Sequence, residues 1–442
     1  MQARGGLGGG MARTSLSRCF RLKVHKLFTS NYAYTSFVGA DRISQLEPSI
    51  FGEITALAIQ HKAANLGQGF PDFEAPQFVT EAAKQAISQG LNQYTRPGGH
   101  PRLVQALSRF YSPLFQRELD PLRHIITTVG ATQGLFLAIL SLVNPGEEVL
   151  LMEPFYDSYP ANVLMAGGVP VYVPLRPAQR AAGEWRLDLE ELRSKVRPGK
   201  TRMLIVNNPA NVPGKRWSRK ELEGLADIAK QNDLIVLSDE VYEWMVYDGV
   251  EHVRIATLPG MFDRTITFGS AGKSFSVTGW KVGWAIGPTP LISAMNTMYQ
   301  YNTFSHSTPL QEAVAVAFEN AEREGYFPWL KDMFQRKRDK LVTTLNNCGL
   351  TPVVPQGSYF VLADTSKVKD SSLRGASASL EDEQRRDLLF CKWLIKEKGV
   401  AAIPPSSFYS KAHRHIVKDF ARFAFCKKDE VLELAAQRLQ NL

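Results

Sequence analysis

The chain has 442 residues and a mass of 49.3 kDa, more than one compact core usually needs. With 44% hydrophobic and 21% charged residues it has a globular composition, which excludes a disordered or low-complexity chain. Of the basic excess behind the net charge of +9, residues 1–40 hold Arg4, Arg13, Arg18, Arg21, Lys23 and Lys26 and no acid; the rest carries 46 basic against 43 acidic residues. A nearly neutral body is a poor polyanion binder, and no apolar run approaches the roughly 18 residues of a membrane span. Neither a nucleic-acid nor a membrane partner is expected.

From Met11 onward Leu16, Phe20, Val24 and Leu27 recur at helical spacing, with Arg18, Arg21 and Lys26 mostly off that face and Lys23 breaking the pattern. An amphipathic, Arg-rich, acid-free leader with Ser and Thr predicts a mitochondrial transit peptide over residues 1–30. The alternative is a basic tail on a cytoplasmic protein. The lack of an uninterrupted apolar stretch argues against secretion.

The middle of the chain alternates short apolar runs with helical patterns. His124–Val129, Glu148–Met152, Pro170–Pro174, Met203–Val206, Leu234–Leu237 and Thr265–Phe268 read as strands, with helices such as Ala131–Leu142 and Ser218–Lys230 between them. This rhythm predicts an α/β fold with a mainly parallel sheet covered by helices, and places ligands at the carboxyl ends of the strands. Beyond about residue 330, helices at Gln335–Leu345, Leu388–Lys398 and Lys428–Leu439 join strands at Tyr359–Ala363 and Ala421–Phe425 in an α+β lobe. The stretch Lys367–Arg386 reads as an exposed insertion. Cys19, Cys348, Cys391 and Cys426 are scattered without a CxxC pair, so neither a disulfide framework nor a metal site is expected.

The chemistry concentrates after the Thr265–Phe268 strand, in Gly269-Ser270-Ala271-Gly272-Lys273-Ser274-Phe275-Ser276-Val277-Thr278-Gly279-Trp280-Lys281-Val282-Gly283-Trp284. A lysine among small residues, with hydroxyls and a second lysine, suits a phosphate-bearing cofactor and Schiff-base chemistry. An isolated lysine there would be an ordinary surface residue. This one is accompanied by Asn65-Leu66-Gly67-Gln68-Gly69-Phe70-Pro71-Asp72, Leu91-Asn92-Gln93-Tyr94-Thr95, Ser238-Asp239-Glu240-Val241-Tyr242 and Arg422-Phe423-Ala424-Phe425.

On these motifs, in order from about Tyr32 to Leu442, the sequence resembles the pyridoxal-phosphate-dependent aminotransferases of fold type I, class I. In particular it is similar to the kynurenine aminotransferases, which also act as glutamine transaminase K and cysteine-S-conjugate β-lyase. The resemblance implies a large domain (76–325) with a mainly parallel seven-stranded sheet between helices. A smaller α+β domain would be made from an N-terminal segment (31–75) and the C-terminal third (326–442). It also implies pyridoxal 5'-phosphate as cofactor, amino acid and 2-oxo acid substrates, and a homodimer.

By the same resemblance Lys273 would hold the cofactor and then serve as general base and acid. Asp239 would pair with the pyridine nitrogen, Tyr242 and Asn211 would contact the phenolic oxygen, and Tyr156 would stack on the ring. Ala131, Thr132, Ser270 and Lys281 would bind the phosphate, helped by the N-terminus of a helix and by Tyr94 of the neighbouring subunit. Arg422 would grip the substrate carboxylate with Gly69 and Asn207 nearby, and Phe51 and Phe304 would shape a pocket for bulky or aromatic side chains.

One motif departs from the family. Where relatives read Asn-Thr-Pro-x-Asn-Pro-x-Gly, this chain has Asn207-Asn208-Pro209-Ala210-Asn211-Val212-Pro213-Gly214. Either the loop loses its cis bond and Asn211 shifts, or Pro213 restores the turn one residue late. The implied activity is transamination of L-kynurenine and related donors. β-Elimination from cysteine conjugates shares its first proton abstraction, and an aminotransferase-like ligand sensor is the non-enzymatic alternative.

Overall fold

The computed structural model describes residues 39–44, 46–178, 184–373, 385–440 and 442. The transit-peptide segment and most of the expected 367–386 insertion lie outside them. The chain divides into Met1–Gln45, of which a helical turn at Asp41–Ser44 is described, and Leu46–Leu442.

The centre of the second unit is a seven-stranded sheet. Its strands are β1 (Ile125–Val129), β2 (Glu148–Glu153), β3 (Val169–Pro174), β4 (Thr201–Asn207), β5 (Ile235–Asp239), β6 (Thr265–Ser270) and β7 (Val282–Ile286), in the spatial order β1-β7-β6-β5-β4-β2-β3. The sheet is parallel except at β7, which runs antiparallel to both β1 and β6. Strands β2, β5 and β7 are buried along their whole length, because helices cover both faces. Two-sided burial produces the continuous apolar runs that made β2 and β5 legible.

Strand β7 was not anticipated. Its sequence, Val282-Gly283-Trp284-Ala285-Ile286, follows the lysine motif so closely that it read as part of a loop. Gly283 explains how it fits. A Cβ there would stand 2.5 Å from the Ala131 nitrogen and 2.6 Å from the Gly130 carbonyl carbon, closer than real side chains come. Only glycine lets this strand pass the start of helix α1 (Gly130–Leu142).

Helix α1 is apolar nearly all round, and Leu135, Leu137, Ala138 and Ile139 are buried beneath it. It begins without a side-chain cap, so its first amides are left for a ligand. Helix α2 (Arg219–Gln231) starts with a capping box: Glu221 N–H donates to Ser218 Oγ, and Ser218 N–H donates back to the Glu221 carboxylate. Its Leu222, Leu225, Ala226, Ile228 and Ala229 are buried.

The C-terminal part holds helix α3 (Tyr326–Asn347) and an antiparallel sheet of β8 (Thr351–Val353), β9 (Phe360–Asp364) and β10 (Phe420–Ala424). The expected helix at Leu388–Lys398 is observed as Arg386–Trp393 followed by a wider turn, Leu394–Lys398. Ala64–Asn65 pairs in parallel with Val400–Ala401, which joins the segment before the large sheet to the chain that follows it.

Candidate active site

A cavity of about 380 Å³ opens at the carboxyl ends of β4, β5 and β6. Phe51, Gly69, Ala131, Thr132, Tyr156, Asn207, Asn211, Asp239, Tyr242, Ser270, Lys273, Lys281 and Arg422 all line it. Thirteen of the fifteen expected site residues are thus brought together. Tyr94 and Phe304 are not: they meet edge to face, with ring centroids 5.4 Å apart, and are 83% and 47% exposed.

Lys273 lies on a one-turn helix, Ala271–Ser274, directly after β6. Its amine donates to the Tyr359 hydroxyl at 2.5 Å and to the Gly69 carbonyl at 3.2 Å. Burial is the main force lowering its pKa to about 8, with the charge of Lys281 pushing the same way. A good fraction of this amine is therefore neutral near physiological pH, as a nucleophile or base requires.

Asp239 is the last residue of β5, so the strand runs two residues beyond its predicted end. One carboxylate oxygen accepts from the Tyr159 hydroxyl at 2.5 Å and the other from the Val241 amide at 3.3 Å. Burial raises its pKa, and the Tyr159 hydrogen bond opposes that rise. The segment after it is a turn rather than the helix that would put Tyr242 on Asp239's face. Tyr242 reaches the cavity all the same, and its hydroxyl accepts from Asn211 Nδ2 at 3.1 Å.

The departing loop keeps Asn211 in place. The Val212–Pro213 and Asn208–Pro209 bonds are cis. Asn211 Oδ1 accepts from Arg422 at 2.7 Å. Asn207 is spent on the backbone, donating to the Asp239 carbonyl and accepting from the Asn211 amide at 2.9 and 2.7 Å. It orients this network.

Arg422, on β10, is 1% exposed and also donates to the Gly67 carbonyl at 2.9 Å. Its Nε has no partner among the described residues. The guanidinium lies 3.9 Å from the Phe360 ring centroid, 5.0 Å from Phe408 and 5.5 Å from Phe51. A carboxylate would meet a desolvated, partly unsatisfied fork with aromatic walls. Burial lowers its pKa to about 10, so it stays charged at neutral pH.

The loop before Pro71 is held through its backbone. The carbonyls of Gly67, Gly69 and Phe70 accept from Arg422, Lys273 and the buried Lys427 respectively. Gly69 has no room for a side chain, since a Cβ would stand 2.4 Å from Phe360 Cζ.

These residues fit pyridoxal phosphate. The start of α1 offers uncapped amides, and the Lys281 amine stands beside it, 3.1 Å from where a Gly130 Cβ would be. Lys281 has no ion-pair partner among the described residues, so an anion would complete this corner. Among the described residues no group of His, Cys, Asp or Glu could hold a metal ion.

Sequence reasoning missed Tyr159, Tyr359 and Phe360. Tyr159 follows Tyr156 by one helical turn, a spacing that could have pointed to it. Tyr359 reaches Lys273 across 86 residues, which no local pattern reveals.

The chain matches the aminotransferase class I and II family over residues 61–439 and belongs to it. It is 47% identical over 427 residues to a kynurenine–oxoglutarate transaminase of Dictyostelium discoideum, covering 92% of this chain and 97% of that one. Against human kynurenine–oxoglutarate transaminase 1 it is 42% identical over 415 residues, with coverages of 91% and 97%. YbdL of Escherichia coli, whose crystal structure and reactivity identify a methionine aminotransferase function, superimposes with a TM-score of 0.83 at 34% identity, covering 92% and 100%. The N-succinyldiaminopimelate aminotransferase of Mycobacterium tuberculosis does so at 0.82 and 39%, covering 91% and 99%. The protein is a pyridoxal-phosphate-dependent aminotransferase of the fold type I architecture, acting on amino acids and 2-oxo acids.

Proposed function

We propose that the chain transaminates L-kynurenine and other bulky, aromatic, sulfur-containing or glutamine-type L-amino acids, with 2-oxoglutarate or another 2-oxo acid as acceptor. The observation that carries this reading is the Lys273 amine facing a cavity whose carboxylate-binding Arg422 is walled by Phe51, Phe360 and Phe408. Kynurenine–oxoglutarate transaminases among the similar proteins support the donor.

When bound, the cofactor supplies an electron sink that lets the α-hydrogen of an amino acid leave as a proton. Ser270, Lys281, Ala131 and Thr132 would hold its phosphate, Tyr156 its ring face, Tyr242 and Asn211 its phenolic oxygen, and Asp239 its ring nitrogen. Arg422 fixes the substrate by its α-carboxylate. Lys273 Nζ then takes the α-proton and holds it for return. Where the β-carbon carries a leaving group, that proton abstraction serves elimination instead, so a cysteine-S-conjugate β-lyase side activity belongs to this proposal.

The active form is proposed to be a homodimer in which Tyr94 and Phe304 complete the partner's site; their exposure and mutual packing support this. The chain is further proposed to act in mitochondria, on the strength of its Arg-rich, acid-free leader. A large domain over 76–325 with a small one from 31–75 and 326–442 is the matching division of labour.

The test is the visible spectrum of the protein loaded with pyridoxal phosphate, before and after L-kynurenine without an oxo acid. Conversion to the shorter-wavelength pyridoxamine form, abolished in Lys273→Ala, is expected. A spectrum moved by methionine or phenylalanine but not by kynurenine would sink the kynurenine assignment alone.

A further inference from the structure

Tyr359 is fully buried immediately before β9. Its oxygen makes two hydrogen bonds at the centre of the site. It donates to the Gly69 carbonyl at 2.6 Å and accepts from Lys273 Nζ at 2.5 Å. The Gly69 carbonyl also accepts from Nζ, at 3.2 Å. The three groups close a triangle in which both contacts to the amine are acceptors.

That arrangement has a consequence for a neutral amine. An sp³ nitrogen of this kind carries two hydrogens and one lone pair. If both hydrogens are engaged, by Tyr359 Oη and by the Gly69 oxygen, the lone pair has one remaining direction. We infer that Tyr359 is a positioning residue that sets the direction of the Lys273 lone pair whenever the amine is free. The inference rests on Lys273 being the proton carrier.

The step balances simply. The lone pair of Nζ forms a bond to the substrate α-hydrogen as the Cα–H bond breaks, and its electrons stay with carbon. The resulting ammonium has three N–H bonds, of which two remain on Tyr359 and Gly69 and the third faces the substrate for return. Tyr359 keeps its own proton throughout, because burial holds its pKa well above that of an ordinary phenol. It therefore acts through Lys273 and never as an acid or base.

The surroundings keep the triangle in place. The Tyr242 ring packs edge to face against Tyr359, centroids 5.0 Å apart, and Phe334 and Phe360 flank it at 5.9 and 4.8 Å. A side chain at Gly69 would collide with Phe360, so only glycine fits here. The phenol has one seat, and so does the amine that it holds.

Tyr359→Phe tests this with two readouts, alongside Lys273→Ala. In the cofactor-loaded dimer, kcat for half-transamination should fall ~10- to 100-fold, a part of the usual contribution of a placed general base, with KM for the amino acid unchanged. The isotope effect with an α-deuterated donor should rise as proton transfer becomes limiting. In the cofactor-free protein, pulse acetylation of Lys273 with acetic anhydride, read by mass spectrometry across pH, should reach its midpoint at a lower pH than in wild type. An acceptor that stabilises the ammonium has been removed.

An unshifted midpoint, or an unchanged isotope effect, overturns the inference and leaves Tyr359 as packing. A variant in which KM rises together with the loss of kcat does the same. Should Tyr359→Phe fail to fold, 3-fluorotyrosine at this position keeps the shape and weakens the acceptor, and the same outcomes apply. If Lys273→Ala retains half-transamination, the reading of Lys273 itself falls; if it is inactive while Tyr359→Phe behaves as wild type, only the positioning role does.

Discussion

Single side chains here are tuned mostly by burial, and their pH behaviour follows. Burial lowers Lys273 to about 8 from an ordinary 10.5, so acetylation of the cofactor-free protein at this residue should rise with pH and be half-maximal near pH 8. The sign for stability is the same. Between those two values the unfolded chain binds more protons at this lysine than the folded one, so folding becomes more favourable as pH rises through that window. Lys273→Met should flatten this slope in urea titrations of the cofactor-free protein. For Asp239 the hydroxyl of Tyr159 opposes the effect of burial. Tyr159→Phe should therefore raise the Asp239 pKa and weaken cofactor retention by roughly 1.5–3 kcal/mol, the range for a hydrogen bond to a charged group. Equilibrium dialysis at pH 6 and pH 8 checks this, and the loss should be larger at pH 6. Arg422→Lys keeps the charge but strands Asn211 Oδ1 or the Gly67 carbonyl. Steady-state kinetics should show kcat/KM for every α-amino acid falling about 10- to 150-fold, with the change mainly in KM.

At the scale of elements, what could be read in advance followed from burial on two faces. β1 to β6 announced themselves as runs of Ile, Val and Leu between breakers, and their observed ends differ from the predicted ones by at most two residues. β7 did not, because Gly283 and Trp284 belong to a close approach between a strand and α1 that local pattern cannot encode. Gly283→Ala should push β7 from the first turn of α1, and calorimetry with pyridoxal phosphate should show cofactor affinity lost before the fold is. The capping box of α2 is a separate, purely structural device. Ser218→Ala removes one side of it and should lower stability by about 1 kcal/mol, seen as a fall in melting temperature with kcat untouched.

For the molecule as a whole, the cofactor-facing residues fall between Ala131 and Lys281, whereas Phe51, Gly69 and Arg422 come from the chain on either side. Much of the site was legible from sequence because Asn207, Asp239 and Ser270 end strands and motifs mark the spots. Tyr359 and Phe360 were illegible because their roles exist only once distant segments meet. Exposed Tyr94 and Phe304 belong to the proposed subunit interface. Sedimentation equilibrium should give twice the chain mass, and Tyr94→Phe should weaken cofactor binding without dissociating the dimer.

The loop that carries Gly67, Gly69 and Phe70 offers Arg422, Lys273 and Lys427 main-chain oxygens. Point substitution cannot delete a carbonyl. A substitution at exposed Phe70 can thus change the loop's outer surface while Arg422, Lys273 and Lys427 keep their three acceptors, whereas Gln68 lines the cavity and donates to Thr55 Oγ1 and the Phe51 carbonyl. Vulnerability is greatest at Gly69, where any β-carbon collides with Phe360, and a β-carbon at Gly67 would stand 3.3 Å from Ile403. A saturation scan of residues 67–70 should therefore find Phe70 tolerant of substitution and Gly69 intolerant.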